Sequence, residues 1–357
     1  MDTYDESVKF LGQMFMVGFR GQTIDEHHWL HRDIAERNLG GVLLFDRNID
    51  RSVQNFDSME SLQHLTGKLQ EISDSLLFIA VDQEGGAVCR LKKCDGFPEI
   101  CGAADMAAGG SEVTQRHAAK IAETLSAGGI NLNFAPVVDM AINKENPIIA
   151  KFGRSFGPDA DTVVTMSKIF INEHHQCGIG CCLKHFPGHG SAGQDSHKGF
   201  VDVTHCWKQE ELIPFQRLIE HGFCDGVMTA HLVHTGLEPA GIPATLSWAV
   251  LTGLLRERLG FTGVIFSDDL QMRAITNGWT YREAVQKAVL AGVDVLVVGN
   301  NLGFQDNALK EGVNAVLELI DNGKIDEHRV QQSIQKIRQF KERIKGALPW
   351  NSSQPTA

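Results

Sequence analysis

The sequence predicts a single-domain (β/α)₈ barrel of the TIM type. Three observations carry this: eight short apolar runs recur along the chain, helical segments alternate with them, and several runs end on a charged or polar residue. Runs that are apolar throughout, instead of alternating with polar residues, mark a parallel sheet covered on both faces. A barrel gathers the C-terminal ends of all its strands around one opening, where those polar ends would meet. A doubly wound open sheet is the other architecture the pattern allows.

In chain order the predicted strands are Met14–Phe19, Gly41–Phe45, Leu77–Asp82, Ile130–Pro136, Gly180–His185, Gly226–His231, Gly263–Asp268 and Val293–Val298. Between them lie helical segments at Val113–Gly128, Ala160–Gly178, Trp207–His221, Ser247–Gly260 and Tyr281–Gly292. Several start near Ser, Thr, Asp or Asn and stop at Gly, as capped helices do. Gly178, Gly260 and Gly292 are placed to end their helices in the left-handed conformation. Residues 311–346 read as two terminal helices, one ending near Asn322-Gly323, the second with Val330, Ile334 and Ile337 on one face. No linker divides the chain, so residues 1–346 form the barrel domain and 347–357 a disordered tail.

A chain of 357 residues lies within the usual span of such barrels. Its net charge of −11 argues against nucleic acid or an anionic membrane surface as the main partner, since both need a basic footprint. No stretch approaches the roughly 18 consecutive apolar residues of a membrane span. The first residues, M-D-T-Y-D-E, lack the basic segment and apolar run of a signal peptide, which points to the cytoplasm. The eight cysteines show no C-x-x-C pair and read as buried thiols packed as small hydrophobes, Cys181 and Cys182 beside Leu183 among them.

Polar chemistry is densest at K-H-F-P-G-H-G, residues 184–190, followed by D-S-H at 195–197. His185, His189, His197 and His205 are metal-ligand residue types, but no H-E-x-x-H is present and the Gly-Pro context does not set helical ligands. General acid/base chemistry fits better. In an extended segment residues i and i+2 point the same way, so Asp195 could orient the His197 imidazole and raise its pKa.

At S-D-D-L, residues 267–270, a carboxylate ends an apolar strand, which is costly unless it is paired or opens into a cleft. Asp268 is thus a candidate nucleophile, metal ligand or substrate anchor, whereas Asp269 could simply cap the following helix. In V-D-Q-E-G-G-A-V-C-R, residues 81–90, Asp82 and Arg90 could grip vicinal hydroxyls or form a plain salt bridge. Arg154, in G-R-S-F-G at 153–157, reads on its own as a solvated arginine.

Together these motifs resemble glycoside hydrolase family 3, and most closely its single-domain β-N-acetylglucosaminidases. The matching stretches are V-D-Q-E-G-G at 81–86, N-L-N-F-A-P-V-V-D at 131–139, R-S-F-G at 154–157, K-H-F-P-G-H-G, D-S-H, V-M-T-A-H at 227–231 and S-D-D-L-Q-M at 267–272. The resemblance implies Asp268 as nucleophile, His197 as acid/base and Asp195 as its partner. It implies Asp82, Arg90, Arg154, Lys184 and His185 as the residues holding a terminal GlcNAc, with no metal or organic cofactor. Two-domain β-glucosidases of the family take their acid/base from a later domain; the D-S-H loop places this chain in the other branch. Two departures stand out. Ala87 replaces the family's usual Arg, and S-A-G-Q at 191–194 replaces the usual Asp-Thr start of the loop.

The resulting expectation is a retaining exo-β-N-acetylglucosaminidase acting on GlcNAc-containing saccharides. Its implied substrates are muropeptides such as GlcNAc-1,6-anhydro-MurNAc in peptidoglycan recycling, or chitin-derived oligosaccharides. The rivals are a phosphorylase, a β-glucosidase and a non-catalytic GlcNAc-binding barrel.

Overall fold

The computed structural model describes residues 10–195, 199–346 and 350. Eight parallel strands form the barrel: Phe15–Gly18 (β1), Gly41–Leu43 (β2), Phe78–Val81 (β3), Leu132–Asn133 (β4), Gly180–Phe186 (β5), Gly226–Thr229 (β6), Val264–Phe266 (β7) and Leu296–Val298 (β8). Neighbours in sequence are neighbours in the sheet, β8 pairs with β1, and a parallel bridge from Phe266 to Val295 joins β7 to β8. The eight predicted runs each correspond to one strand, and the open doubly wound sheet is excluded by this closure. Seven of the strands are shorter than their predicted runs, while β5 runs one residue further, to Phe186. Asp82, His231 and Asp268 therefore lie just beyond their strands, free of ladder hydrogen bonding and able to serve the opening.

Side-chain amides stitch the ends where the ladder stops. Asn133 accepts the Gln83 N–H at 3.0 Å and donates to the Gln83 carbonyl at 3.0 Å, fixing the chain directly after Asp82. Asn131 does the same for β3, accepting from Ile79 N and donating to the Leu77 carbonyl, each at 2.8 Å.

The opposite end of the barrel is closed by the last helix, Glu327–Ile344, whose Phe340 ring packs edge-on against Phe78 and Phe266. Glycine at 180 is what admits that ring: a Cβ there would lie 2.4 Å from the Phe340 ring. The helix before it spans Ala308–Asp321, so the two predicted terminal helices are present, with Val330 and Ile337 buried.

Gly178, Gly260 and Gly292 each have positive φ at the ends of their helices. Thr280 caps the helix Tyr281–Ala291 in a reciprocal box with Glu283. Two predicted helices differ in detail. The segment 207–221 splits into a 3₁₀ turn, Gln209–Leu212, and a helix, Ile213–Glu220, because Pro214 lacks the N–H needed inside a continuous helix and suits a first turn. The segment 247–260 is wound as a π-helix over Ala249–Arg258.

The cysteine reading needs one correction. Only Cys181 and Cys182, on β5, are buried; Cys89, Cys101, Cys177 and Cys224 are half-buried, and Cys94, in a 3₁₀ turn, and Cys206 are exposed. Within 347–357 only Trp350 is described; its indole stacks on His175 at 4.0 Å.

Candidate active site

A cavity of about 260 Å³ opens at the C-terminal end of the barrel, lined by Asp82, Arg90, Arg154, Lys184, His185 and Asp268 together with apolar side chains from several loops. Six of the eight sequence-predicted site residues are thus brought together. Asp195 sits half-buried in the loop after β5 and does not line this cavity. His197 lies outside the described residues.

The floor is an ion-pair chain. Lys184 Nζ is 2.7 Å from Asp82 Oδ1 and 2.7 Å from Glu84 Oε1. Arg154 grips Glu84 with two prongs, Nε to Oε2 at 2.7 Å and Nη2 to Oε1 at 2.8 Å, while Nη1 donates to the Ile148 carbonyl at 3.0 Å. Arg90 Nη2 stands 3.6 Å from Asp82 Oδ2, and its guanidinium lies over the Phe45 ring. Arg154 is only 8% exposed, so its reading as a solvated arginine is wrong. Its partner Glu84 lies 70 positions away, and no local signal could have revealed the pairing.

Burial works against the charge on Asp82, but Lys184, Arg90 and Arg154 more than offset it and hold the carboxyl at about 2. The same contest leaves Glu84 below its ordinary value, with Arg154 and Lys184 prevailing over burial. Burial would lower Lys184, yet Asp82 and Glu84 keep it above the usual lysine range. Asp82, Glu84 and Lys184 are thus held in their charged forms. The result is a rigid set of directional donors and acceptors, which is what recognition of a polyhydroxylated ligand needs.

His185 is aimed by Asp139, which the sequence reading did not single out. Nδ1 is 2.7 Å from Asp139 Oδ2, and Asp139 also accepts the backbone N–H of His189 at 2.7 Å. A carboxylate can only accept, so Nδ1–H donates to Asp139 and the ring's orientation at the cavity is fixed. His189 itself also lines the cavity, with burial pushing it down to about 4, so it is neutral. Glu211 accepts the Gly190 N–H at 2.7 Å, and burial raises it to about 7.

Asp268 follows β7. Its backbone N–H donates to Thr229 Oγ1 at 3.3 Å, and its Oδ1 accepts the Asp269 N–H at 2.8 Å. Asp269 does not cap the next helix, whose N-terminal residue is preceded by Met272. Instead its Oδ1 accepts the N–H groups of Gln271 and Gly299, each at 2.9 Å, tying the loop after β7 to the end of β8. Among the described residues no cluster of three or more His, Cys, Asp or Glu side chains is arranged to hold a metal. No described helix is long and apolar enough to cross a membrane.

Comparison with known proteins bears on this geometry. The family model described as the glycosyl hydrolase family 3 N terminal domain matches residues 7–340. A beta-hexosaminidase of Tolumonas auensis is 35% identical over 291 residues, covering 80% of this chain and 80% of the relative. Beta-hexosaminidase A of Pseudoalteromonas piscicida is 29% identical over 332 residues, 87% of this chain but 54% of that protein. Among solved structures, a family 3 beta-N-acetylglucosaminidase from Paenibacillus sp. str. FPU-7 superposes with a TM-score of 0.86 at 33% identity, over 99% of this chain and 65% of that one. The chain therefore spans roughly half to two thirds of some of its relatives and most of the length of others.

Proposed function

Since the chain belongs to glycosyl hydrolase family 3, we propose that it is a retaining exo-β-N-acetylglucosaminidase whose nucleophile is Asp268. The observation that carries this is the convergence of Asp268 with the Asp82–Lys184–Glu84–Arg154 chain on one small cavity. A volume of about 260 Å³ is below the range of roughly 300–1,000 Å³ that takes a drug-sized ligand, and suits one sugar ring. A pocket that ends after one ring cleaves from the end of a chain. The beta-hexosaminidase and beta-N-acetylglucosaminidase relatives support GlcNAc as that ring.

In this reading Asp82, Arg90, Arg154, Lys184 and His185 hold the terminal sugar. One carboxylate oxygen of Asp268 attacks the anomeric carbon, and the bond to the leaving oxygen breaks. His197, paired with Asp195, gives its proton to that oxygen and then takes one from the water that cleaves the glycosyl ester. The configuration is inverted twice and so retained. The Asp269 N–H donates to Asp268 Oδ1 and so helps to hold the carboxylate in place. The proposal includes a cytoplasmic enzyme of peptidoglycan recycling acting on GlcNAc-1,6-anhydro-MurNAc fragments, with chitin-derived oligosaccharides as the other substrate class.

The test is p-nitrophenol release from β-GlcNAc and β-glucoside substrates, with and without phosphate, for the wild type and Asp268→Ala. GlcNAc preference, indifference to phosphate and collapse in the variant are expected. A phosphate requirement would make the enzyme a phosphorylase, and equal rates on the glucoside would remove the acetamido specificity. An inactive but folded wild type would leave a sugar-binding barrel.

A further inference from the structure

In the V-M-T-A-H stretch at the end of β6, Met228 lines the cavity, while the histidine has no assigned part in the sugar contacts or the acid/base steps. That histidine nevertheless reaches the nucleophile through an unbroken set of contacts. His231 Nε2 is 2.9 Å from the Asp269 carbonyl oxygen, and Nδ1 is 2.7 Å from Thr245 Oγ1. Thr245 Oγ1 is in turn 2.8 Å from Thr229 Oγ1, which accepts the Asp268 N–H at 3.3 Å. His231 is 1% exposed, Thr229 and Thr245 are fully buried, and His231 does not line the cavity.

We infer that His231 is a positioning residue for the nucleophile, acting through residue 269. The Asp269 carbonyl can only accept, so Nε2–H donates to it. Thr245 Oγ1 also donates to the Ala230 carbonyl at 3.0 Å, so one buried hydroxyl joins His231, Thr229 and the backbone just after β6. Residue 269 is clamped at three points, its carbonyl by His231, its side chain by Gly299 N–H and Gln271 N–H, and its own N–H by Asp268 Oδ1. That last contact restrains the Asp268 carboxylate at one of its oxygens. It also supplies a fixed donor to the carboxylate as negative charge returns to it when the glycosyl ester is cleaved. Two β-strand ends, β6 and β7, are thereby locked to one orientation of one carboxylate.

The inference rests on Asp268 being the nucleophile, and the experiment separates the two. His231→Ala, His231→Gln, Thr245→Val and Asp268→Ala are compared in steady-state hydrolysis of p-nitrophenyl β-GlcNAc, with thermal melts of each. A misplacement of about 1 Å costs about 10²-fold in rate, so His231→Ala is expected to lower kcat by about that factor. KM should stay within about threefold, because no sugar contact is touched. The Gln amide offers an N–H at similar reach and should recover about tenfold of the loss. Thr245→Val should fall between. If His231→Ala keeps kcat within about threefold of wild type while Asp268→Ala collapses, the positioning role is overturned and the nucleophile stands. Equal losses in the Ala and Gln variants, with lowered melting temperatures, would assign His231 to the fold alone and overturn it as well. Full activity in Asp268→Ala would overturn both.

Discussion

Glu84 is the residue on which the cavity floor turns, and replacing it with Gln is the most informative single change. The substitution keeps shape while removing the negative charge held between Lys184 and Arg154. Both cations are buried, at 2% and 8% exposure, so neither can recover the loss from water. Removing one partner of a buried pair costs about 3–5 kcal/mol. Asp82 still faces Lys184, which puts the expected loss toward the lower end. Unfolding entropy of about 2.1 cal/mol/K per residue gives roughly 0.7 kcal/mol/K for a chain of this size, so the melting temperature should fall by about 4–7 °C. Thermal melts at neutral pH read this directly. Steady-state kinetics should show KM raised by about tenfold or more, because the bidentate contact that aims Arg154 is lost. A companion variant, Glu84→Leu with Arg154→Leu, should regain most of the stability and none of the activity. A fall of less than about 1 °C in Glu84→Gln would refute the reasoning that this carboxylate holds the site together.

Three further outcomes follow from the geometry. Phe340→Ala should cost about 3–5 kcal/mol and leave KM unchanged, since the ring plugs the barrel at the end away from the cavity; a changed KM with a normal melt would contradict that placement. Glu211 is raised to about 7 in the fold from an ordinary 4.5, so the native state holds an extra proton between those values and stability falls as pH rises through that window. Glu211→Gln should therefore flatten the melting temperature against pH across that window, and curves parallel to wild type would refute the assignment. Exhaustive dialysis against EDTA should leave turnover unchanged, because every proposed step uses only side chains and water; loss of activity restored by a divalent metal would reopen the mechanism.

Much of this was legible from residue order. Seven of the eight β-strands lie inside the predicted runs and β5 extends one residue past its run, because strands covered on both faces are largely apolar. The glycines at 178, 260 and 292 mark helix ends because left-handed backbone is cheap only there. The sequence expectation of one helix over 207–221 fails at Pro214, where the chain divides into a 3₁₀ turn and a helix. What could not be read was long-range pairing. Arg154 and Glu84, or His185 and Asp139 at a separation of 46 residues, meet only because the barrel brings strand ends together. Glu84 and Asp139 both stand inside recognised motifs, yet their local sequence gives no hint of which cation or imidazole each will orient. His231 could be placed at a strand end, but its reach to the Asp269 carbonyl depends on how two loops pack.

The central claim is that Asp268 forms a covalent bond to the sugar. An activated, slowly turned-over fluorinated GlcNAc donor should add the mass of one sugar residue to the intact protein. Digestion should then locate that mass on the peptide containing Asp268, and the label should be absent from Asp268→Ala. A label on another residue, or steady turnover of the donor with no trapped adduct in the wild type, would contradict the account.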